Sequence, residues 1–290
     1  MEVQMAVVNT NVNASIAQNA LVRNERSMNT AMERLSTGQR INSASDDAAG
    51  LAIASRMTSQ IRGLETAVRN ANDGISMIQT ADGALIEVGN MLQRMRELAL
   101  QASNGTTTSA DRAYLNTEYQ NLIGEIERIA TNTQWNGGAV LNGTASSVAF
   151  QVGANGGQTV SVNFGNFIAS GTVFSGMKVA NSGAAHSLSS TTTTAALTTA
   201  SGAITVIDSA ITSVNSQRAT FGAAMNQLTY AVDNLSNVKV NSEAARSRIA
   251  DTDYANATSE LARTQIIQQA GTAMLAQANQ LPQTVLALLR

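Results

Sequence analysis

Two acidic pairs come closest to carrying chemistry: Asp46-Asp47 within SASDDAAG, and Asp251 with Asp253 within DTDY. Adjacent carboxylates can divide acid and base roles, and a D-x-D can grip a divalent cation. Both uses need further groups, and the sequence supplies few. His186 is the only histidine, cysteine is absent, and no H-E-x-x-H, P-loop or G-x-S-x-G is found. The other reading of both pairs is structural: acids at the positive end of a helix, capping its first free N–H groups. That reading is favoured, so neither an enzyme nor a bound cofactor is expected.

Composition narrows the class further. The chain has 290 residues, of which 43% are hydrophobic, only 3% aromatic and 13% charged. An apolar share made of Ala, Val, Ile, Leu and Met suits slim seams between helices. A net charge of −2 without a basic block offers no footprint for nucleic acid or anionic lipid. The start, MEVQMAVVNTN, lacks the basic and apolar parts of a secretory signal, so any export is expected to need no cleaved one. Met5, followed by small Ala6, is a second candidate start. No apolar run approaches the ~18 residues of a membrane helix.

Spacing identifies the elements that must position everything else. Positions 54, 57, 61, 64, 68, 71, 75 and 78 are all apolar, and with a skip at the Asp82-Gly83 pair the pattern continues as Ala81, Leu85, Val88, Leu92, Met95 and Ala99. Alternating steps of three and four mark a coiled-coil seam, and the skip predicts a local over-winding. A second helix is expected after Ser109 as N-cap, with Leu115, Tyr119, Leu122, Ile126 and Ile129 on its seam. A third carries Ile204, Ile207, Ile211, Val214, Phe221, Met225, Leu228, Val232 and Leu235, with Arg218 the exception. Three such helices can form an antiparallel bundle.

Between them the period drops to two. Val148, Phe150 and Val152 alternate with polar residues, Asn155-Gly156-Gly157 supplies a turn, and Val160, Val162 and Phe164 alternate again, which predicts a β-hairpin. Asn136-Gly137-Gly138 and Asn142-Gly143 mark further turns. The stretch from Ser187 to Ser201, SLSSTTTTAALTTAS, has little to bury and is expected to be a surface loop. At the ends, Ala14, Leu21, Met28 and Leu35 recur every seven residues, as do Ile267, Met274, Leu281 and Leu288. The simplest partner for each end is the other, yet such a pair still leaves apolar outer faces uncovered.

The motifs ERLSTGQRINSASDDAAGLAIASRM, RNANDGISMIQTADGAL and LQRMRELALQASN resemble bacterial flagellin. So do TQWNGGAVLNG, FQVGANGGQTV, ARSRIADTDYA and QQAGTAMLAQANQLPQTVLALLR. The match covers roughly 1–165 and 203–290. The resemblance implies a mainly α fold: a long coiled-coil-like helical bundle built from N- and C-terminal segments, with a small β-hairpin region. It also implies three parts: an inner terminal coiled-coil domain (1–47 and 251–290), a helical bundle with the hairpin (48–165 and 203–250), and a short variable surface region (166–202).

The function so implied is that of a structural subunit polymerising into the flagellar filament for motility. The terminal stripes would then be covered by other copies, in a contact that repeats without closing. Expected partners are the chain itself, the flagellar cap and hook–filament junction proteins and an export chaperone, with no nucleic acid and no membrane. Host receptors belong to the same expectation. Gln93, Arg94 and Leu98, with Glu118 on the adjacent helix, match the surface met by a mammalian Toll-like receptor, and Leu286, Leu288 and Leu289 match leucines read by inflammasome sensors. Ser189, Ser190, Thr191, Thr192, Thr193 and Thr194 are candidates for O-linked sugars. The other readings are a hook–filament junction protein and a coiled-coil rod or adhesin that does not assemble.

Overall fold

The computed structural model describes residues 11–168, 188 and 193–288, with side chains described up to 280 except at 193–197. The described residues form five helices: α1 (Val12–Thr37), α2 (Ala48–Ala102), α3 (Ser109–Asn132), α4 (Thr193–Ala250) and α5 (Tyr254–Leu288). Two small antiparallel sheets lie between α3 and α4: β1 (Gln134–Trp135) with β2 (Gly138–Ala139), and β3 (Val148–Gln151) with β4 (Thr159–Val162). The chain is therefore mainly α, with a hairpin where the two-residue period lies. It parts into two compact units, Gln60–Lys239 and the remainder on either side. These borders fall inside α2 and α4, whereas the expected ones stood at helix ends. The reason is local: Arg246 near the end of α4 donates to the Thr58 hydroxyl at 3.5 Å, and Ala54 is buried, so the first turns of α2 belong with the terminal segments.

Within Gln60–Lys239 one buried row of α2 runs 64, 67, 71, 74, 78, 81, 85, 88, 92, 95, 99 and 102, an unbroken alternation of threes and fours, with Leu98 buried beside it. The expected skip at Asp82-Gly83 is absent. Two successive three-residue steps occur earlier instead, at 61, 64 and 67. Ala67 and Gly74 take the seam, while Val68 and Ile75 are only half-buried beside it. A close approach explains the preference for small residues: a Cβ on Gly74 would stand 3.0 Å from the Phe150 ring, and one on Gly63 3.2 Å from Ala154. The hairpin, with Val148 opposite Val162 and Phe150 opposite Val160, thus rests on a groove of small α2 residues. Asn70 anchors it through a 3.3 Å bond to the Gln151 carbonyl.

α4 runs antiparallel to α2 and uses the same device. Ala200, Ala203, Ala210 and Ala224 are buried between Ile207, Val214, Phe221 and Leu228, whereas the larger Ile204, Ile211 and Met225 lie half-buried at the edge. Asp82 and Arg218, the two polar interruptions of the sequence pattern, meet at 2.8 Å. Glu65–Lys239 and Arg96–Asp208, at 2.8 and 2.6 Å, are further rungs of the same pairing. The low-complexity stretch is not wholly a loop: from Thr193 onward it is the first turns of α4, because Ala200 and Ala203 complete the seam with no exposed surface. A run of Thr and Ala has little to bury alone, but small residues are what a tight seam accepts.

α3 begins one residue earlier than expected, capped by Thr108 rather than Ser109. The Thr108 hydroxyl accepts from the Asp111 amide at 3.2 Å, and the Asp111 carboxylate accepts from the Thr108 amide at 3.1 Å, a capping box. The Thr108 hydroxyl and amide hold the Asp111 carboxyl below its ordinary range. Arg112 was not anticipated as a core residue. It is 1% exposed, and its guanidinium donates from Nε to the Ala102 carbonyl at 3.0 Å and from Nη2 to the Asn104 carbonyl at 3.2 Å. A buried cation is tolerated here because it answers the free carbonyls at the end of α2, where the helix dipole is negative. The two-residue turn Asn136-Gly137, with φ of 47° and 80°, has the left-handed geometry that matches strand twist.

Two measurements test this packing. In a double-mutant cycle, Asp82→Asn and Arg218→Gln are expected to couple by about 0.5–1 kcal/mol in denaturant unfolding, as for a partly exposed pair. Burial pushes the Tyr119 phenol up to about 12. A raised value in the fold means stability that is whole below the ordinary tyrosine value near ~10 and lost as pH climbs from there towards 12. Ultraviolet titration should show one of the four tyrosines ionising late, and Tyr119→Phe should remove that step.

Candidate assembly surface

The terminal segments pair as antiparallel helices, α1 against α5. Asn11 caps α1, accepting from the Ala14 amide at 3.1 Å and donating across to the Ala278 carbonyl at 2.8 Å. Gly38 ends the helix in the left-handed conformation (φ 70°), and its N–H returns to the Arg34 carbonyl at 2.9 Å. The next residues then run beside 250–252: the Arg40 amide donates to the Ala250 carbonyl at 2.7 Å, and Thr252 donates back to Gly38 at 3.0 Å.

Both acidic pairs lie in this unit; two of their four carboxylates cap helices, and a third, that of Asp46, ties the turn before α2. Asp46 accepts from the amides of Asn42 and Ser43 at 3.1 and 2.9 Å. Those amides, Ser43 foremost, draw its carboxyl below the ordinary range. Asp47 caps α2 through a 2.8 Å bond from the Gly50 amide. Asp253 caps α5, accepting from Ala255 and Asn256 at 3.0 and 3.3 Å. Asp251 instead bridges to Gln39 through its backbone. Among the described residues no cluster of His, Asp or Glu could hold a metal, and no helix is long and apolar enough to cross a membrane.

The seam of α1 holds Ala14, Leu21, Met28 and Leu35, half-buried, together with Ala17, Asn24 and Ala31 between them. The seam of α5 differs from the expected stripe. It runs through Ala257, Leu261, Thr264, Gln268, Gly271, Leu275 and Ala278. Ile267 and Met274 lie off it, and Met274 and the adjacent Ile266 are each 66% exposed. The seven-residue period is right and the phase is wrong. The backbone phase that brings Gly271 against Leu21 turns the bulkier residues outward, since a Cβ at 271 would come within 2.6 Å of Leu21. Val12, Ile16, Val22 and Met32 add exposed apolar surface on α1. Leu281, Leu286 and Leu288 fall within α5, but their side chains lie outside the described residues, as does Leu289 altogether.

In the other unit, Arg94 forms ion pairs with Glu118 at 2.8 Å and with Glu97 at 3.0 Å, and all three side chains are exposed. Gln93 is exposed beside them. Leu98 is a correction to the expected surface: at 1% exposure it belongs to the core, because it lies beside Ala99 on the buried face of α2. Of the sugar candidates, Thr193 and Thr194 open α4, whereas Ser189, Ser190, Thr191 and Thr192 lie outside the described residues, as does His186.

Residues 8–146 match the model of the bacterial flagellin N-terminal helical region, and residues 204–289 that of the bacterial flagellin C-terminal helical region. A flagellin of Halalkalibacterium halodurans is 45% identical over 284 residues, covering 98% of this chain and all of the relative. A flagellin of Xenorhabdus nematophila is 42% identical over 311 residues, with 98% and 99% of the two chains covered. Flagellin A of Vibrio cholerae is 36% identical over 375 residues at the same coverage. With helical regions at both ends matched in order and whole-chain relatives at this identity, the chain belongs to the bacterial flagellin family.

Proposed function

We infer that the chain is the structural subunit of a bacterial flagellar filament, an extracellular polymer whose rotation serves motility. The observation that carries this, beside family membership, is the apolar outer face of the α1–α5 pair. Ile266, Ile267 and Met274 stay exposed after the seam is complete. Contiguous exposed apolar surface of this kind marks an interaction site. A copy of the same chain, repeated by a heterologous contact that does not close, covers such a face along an open helix. A hook–filament junction protein is not favoured, since relatives named flagellin match the chain end to end.

The finer parts of this reading concern partners. The subunit would leave the cell through the flagellum's own export route, escorted by an export chaperone, and would add beneath a cap protein. A Toll-like receptor would meet Gln93, Arg94 and Glu118, with Leu98 supporting that surface from beneath. Leu286, Leu288 and Leu289 would be the residues seen by cytosolic sensors.

The test compares the full chain with one ending at Ala278, each seeded with short filament fragments and sedimented. The full chain is expected to elongate and the shortened chain to remain in the supernatant, with filaments checked by electron microscopy. Equal elongation of both, or of neither, would return the rod and junction readings to the front. Separately, Arg94→Ala should lower receptor signalling by free subunits at least several-fold while leaving seeded elongation in place.

A further inference from the structure

Four asparagines in the sequence are followed directly by glycine: Asn104, Asn136, Asn142 and Asn155. In such a pair the glycine nitrogen, uncrowded because its residue has no Cβ, can attack the asparagine Cγ. The new bond from that nitrogen to Cγ forms, the bond from Cγ to the side-chain nitrogen breaks, and ammonia leaves with the proton of the attacking N–H. Water then opens the cyclic imide at either carbonyl. The product is aspartate or, where the main chain now runs through the former side chain, isoaspartate. Water is the one co-reactant. Closure needs Cγ to swing onto the next nitrogen, so a bond on the side chain or a backbone that cannot rotate resists it.

Three of the four pairs are held in this way. Asn104 and Asn142 each accept at Oδ1 from the amide two residues on, that of Thr106 at 3.2 Å and that of Thr144 at 3.0 Å. Asn142 is also bridged to Asn166, whose side chain packs on Gly143. Asn136 stands at φ 47° in a two-residue turn closed by the Trp135–Gly138 pair, so its backbone cannot rotate without opening the sheet. Asn155 differs. It lies exposed at the tip of the β3–β4 hairpin, beyond the 2.9 Å bond from the Val152 amide to the Gln158 carbonyl. Gln151 Nε2 donates to the Asn155 carbonyl at 2.6 Å, and the Asn155 amide donates to Gln158 Oε1 at 3.2 Å. These braces leave both reacting groups, the Asn155 side chain and the Gly156 N–H, without a partner among the described residues. The space beside Gly156 is open too: a Cβ there would meet nothing within 4 Å.

The same tip faces α2. Arg62, Thr66, Asn155 and Gly156 line one open pocket, and Arg62 is exposed with no ion pair among the described residues. The acid nearest to it along α2, Glu65, is taken by Lys239 at 2.8 Å. We propose that Asn155-Gly156 is a self-modifying site, converting through the imide to aspartate and isoaspartate, and that the carboxylate so formed pairs with Arg62 and ties the hairpin tip to α2. Both partners lie within Gln60–Lys239, so the chemistry asks nothing of the terminal helices. Its accumulation in an ageing polymer rests on the filament reading, in which copies outside the cell escape turnover.

The test stores the full chain at neutral pH as soluble copies and as seeded, sedimented filaments, with a third sample in denaturant. Peptide mapping by mass spectrometry follows amide-to-acid conversion at all four pairs, and an isoaspartyl methyltransferase counts isoaspartate. In the soluble fold Asn155 is expected to convert several-fold faster than Asn104, Asn136 or Asn142, and in denaturant the four should converge. Gly156→Ala should slow conversion several-fold with the hairpin intact, because its Cβ fits the open space yet crowds the attacking nitrogen. By carboxyl NMR, the new acid of Asn155→Asp should titrate at lower pH than the same acid in Asn155→Asp with Arg62→Gln. Equal conversion of the four pairs in the fold, or the same ranking in denaturant, overturns the site. Equal titration in the two variants overturns the pairing with Arg62. Filaments in which Asn155 stays intact overturn its accumulation with age, whereas failure of the chain to elongate sinks the filament reading and leaves the soluble-chain result to decide the site.

Discussion

Burial of small residues along narrow helix seams is the interaction on which the rest of the chain depends. Ala67, Ala71, Gly74 and Ala81 on α2, and Ala203, Ala210 and Ala224 on α4, are all buried there. In a chain with 3% aromatic residues, a thick core is not available, so stability has to come from many well-fitted contacts spread along the seams. Small residues also let the hairpin rest on α2 at Gly63 and Gly74. They leave room for larger residues such as Ile75 and Ile204 at the seam edges, where these widen the apolar contact.

Seams built from repeating small residues carry few polar groups, and those they carry are paired across the seam. Asp82–Arg218 on α2 and α4, and Asn24–Gln268 on α1 and α5, are two such contacts at different levels of burial. A charge pair open to solvent contributes little stability, but mispairing it costs more than the matched pair gains. Arg112 is a third buried polar group: its guanidinium holds the Ala102 carbonyl that ends α2 and the Asn104 carbonyl just beyond it, where the chain turns towards α3.

A helix pair that hides one narrow stripe cannot hide two. Once Gly271 faces Leu21, the bulkier Ile267 and Met274 are directed outward, and their cover has to come from elsewhere. In the proposed filament, neighbouring copies supply that cover, and an interior packing choice becomes an assembly surface. The acidic pairs that first suggest chemistry serve the same end: as caps, Asp47 and Asp253 start the helices that present the seams.

From sequence alone, the helix count of the bundle, the hairpin and its turn, the capping roles of Asp47 and Asp253 and the family were all legible, because each depends on local period or on long motifs. Asp82 and Arg218 were visible as interruptions, but not as partners, since nothing local links residues so far apart. Arg112 fell on the heptad of Tyr119 and Ile126, yet a charged residue there reads as a surface residue until the carbonyls it answers are located. What only the tertiary structure decided was phase: Ala67 over Val68, Gly271 over Ile267, Leu98 inward, and the Thr-Ala run drawn into α4. Sequence period states how often a face recurs, and the approach distance of the neighbouring backbone decides which of two adjacent residues occupies it.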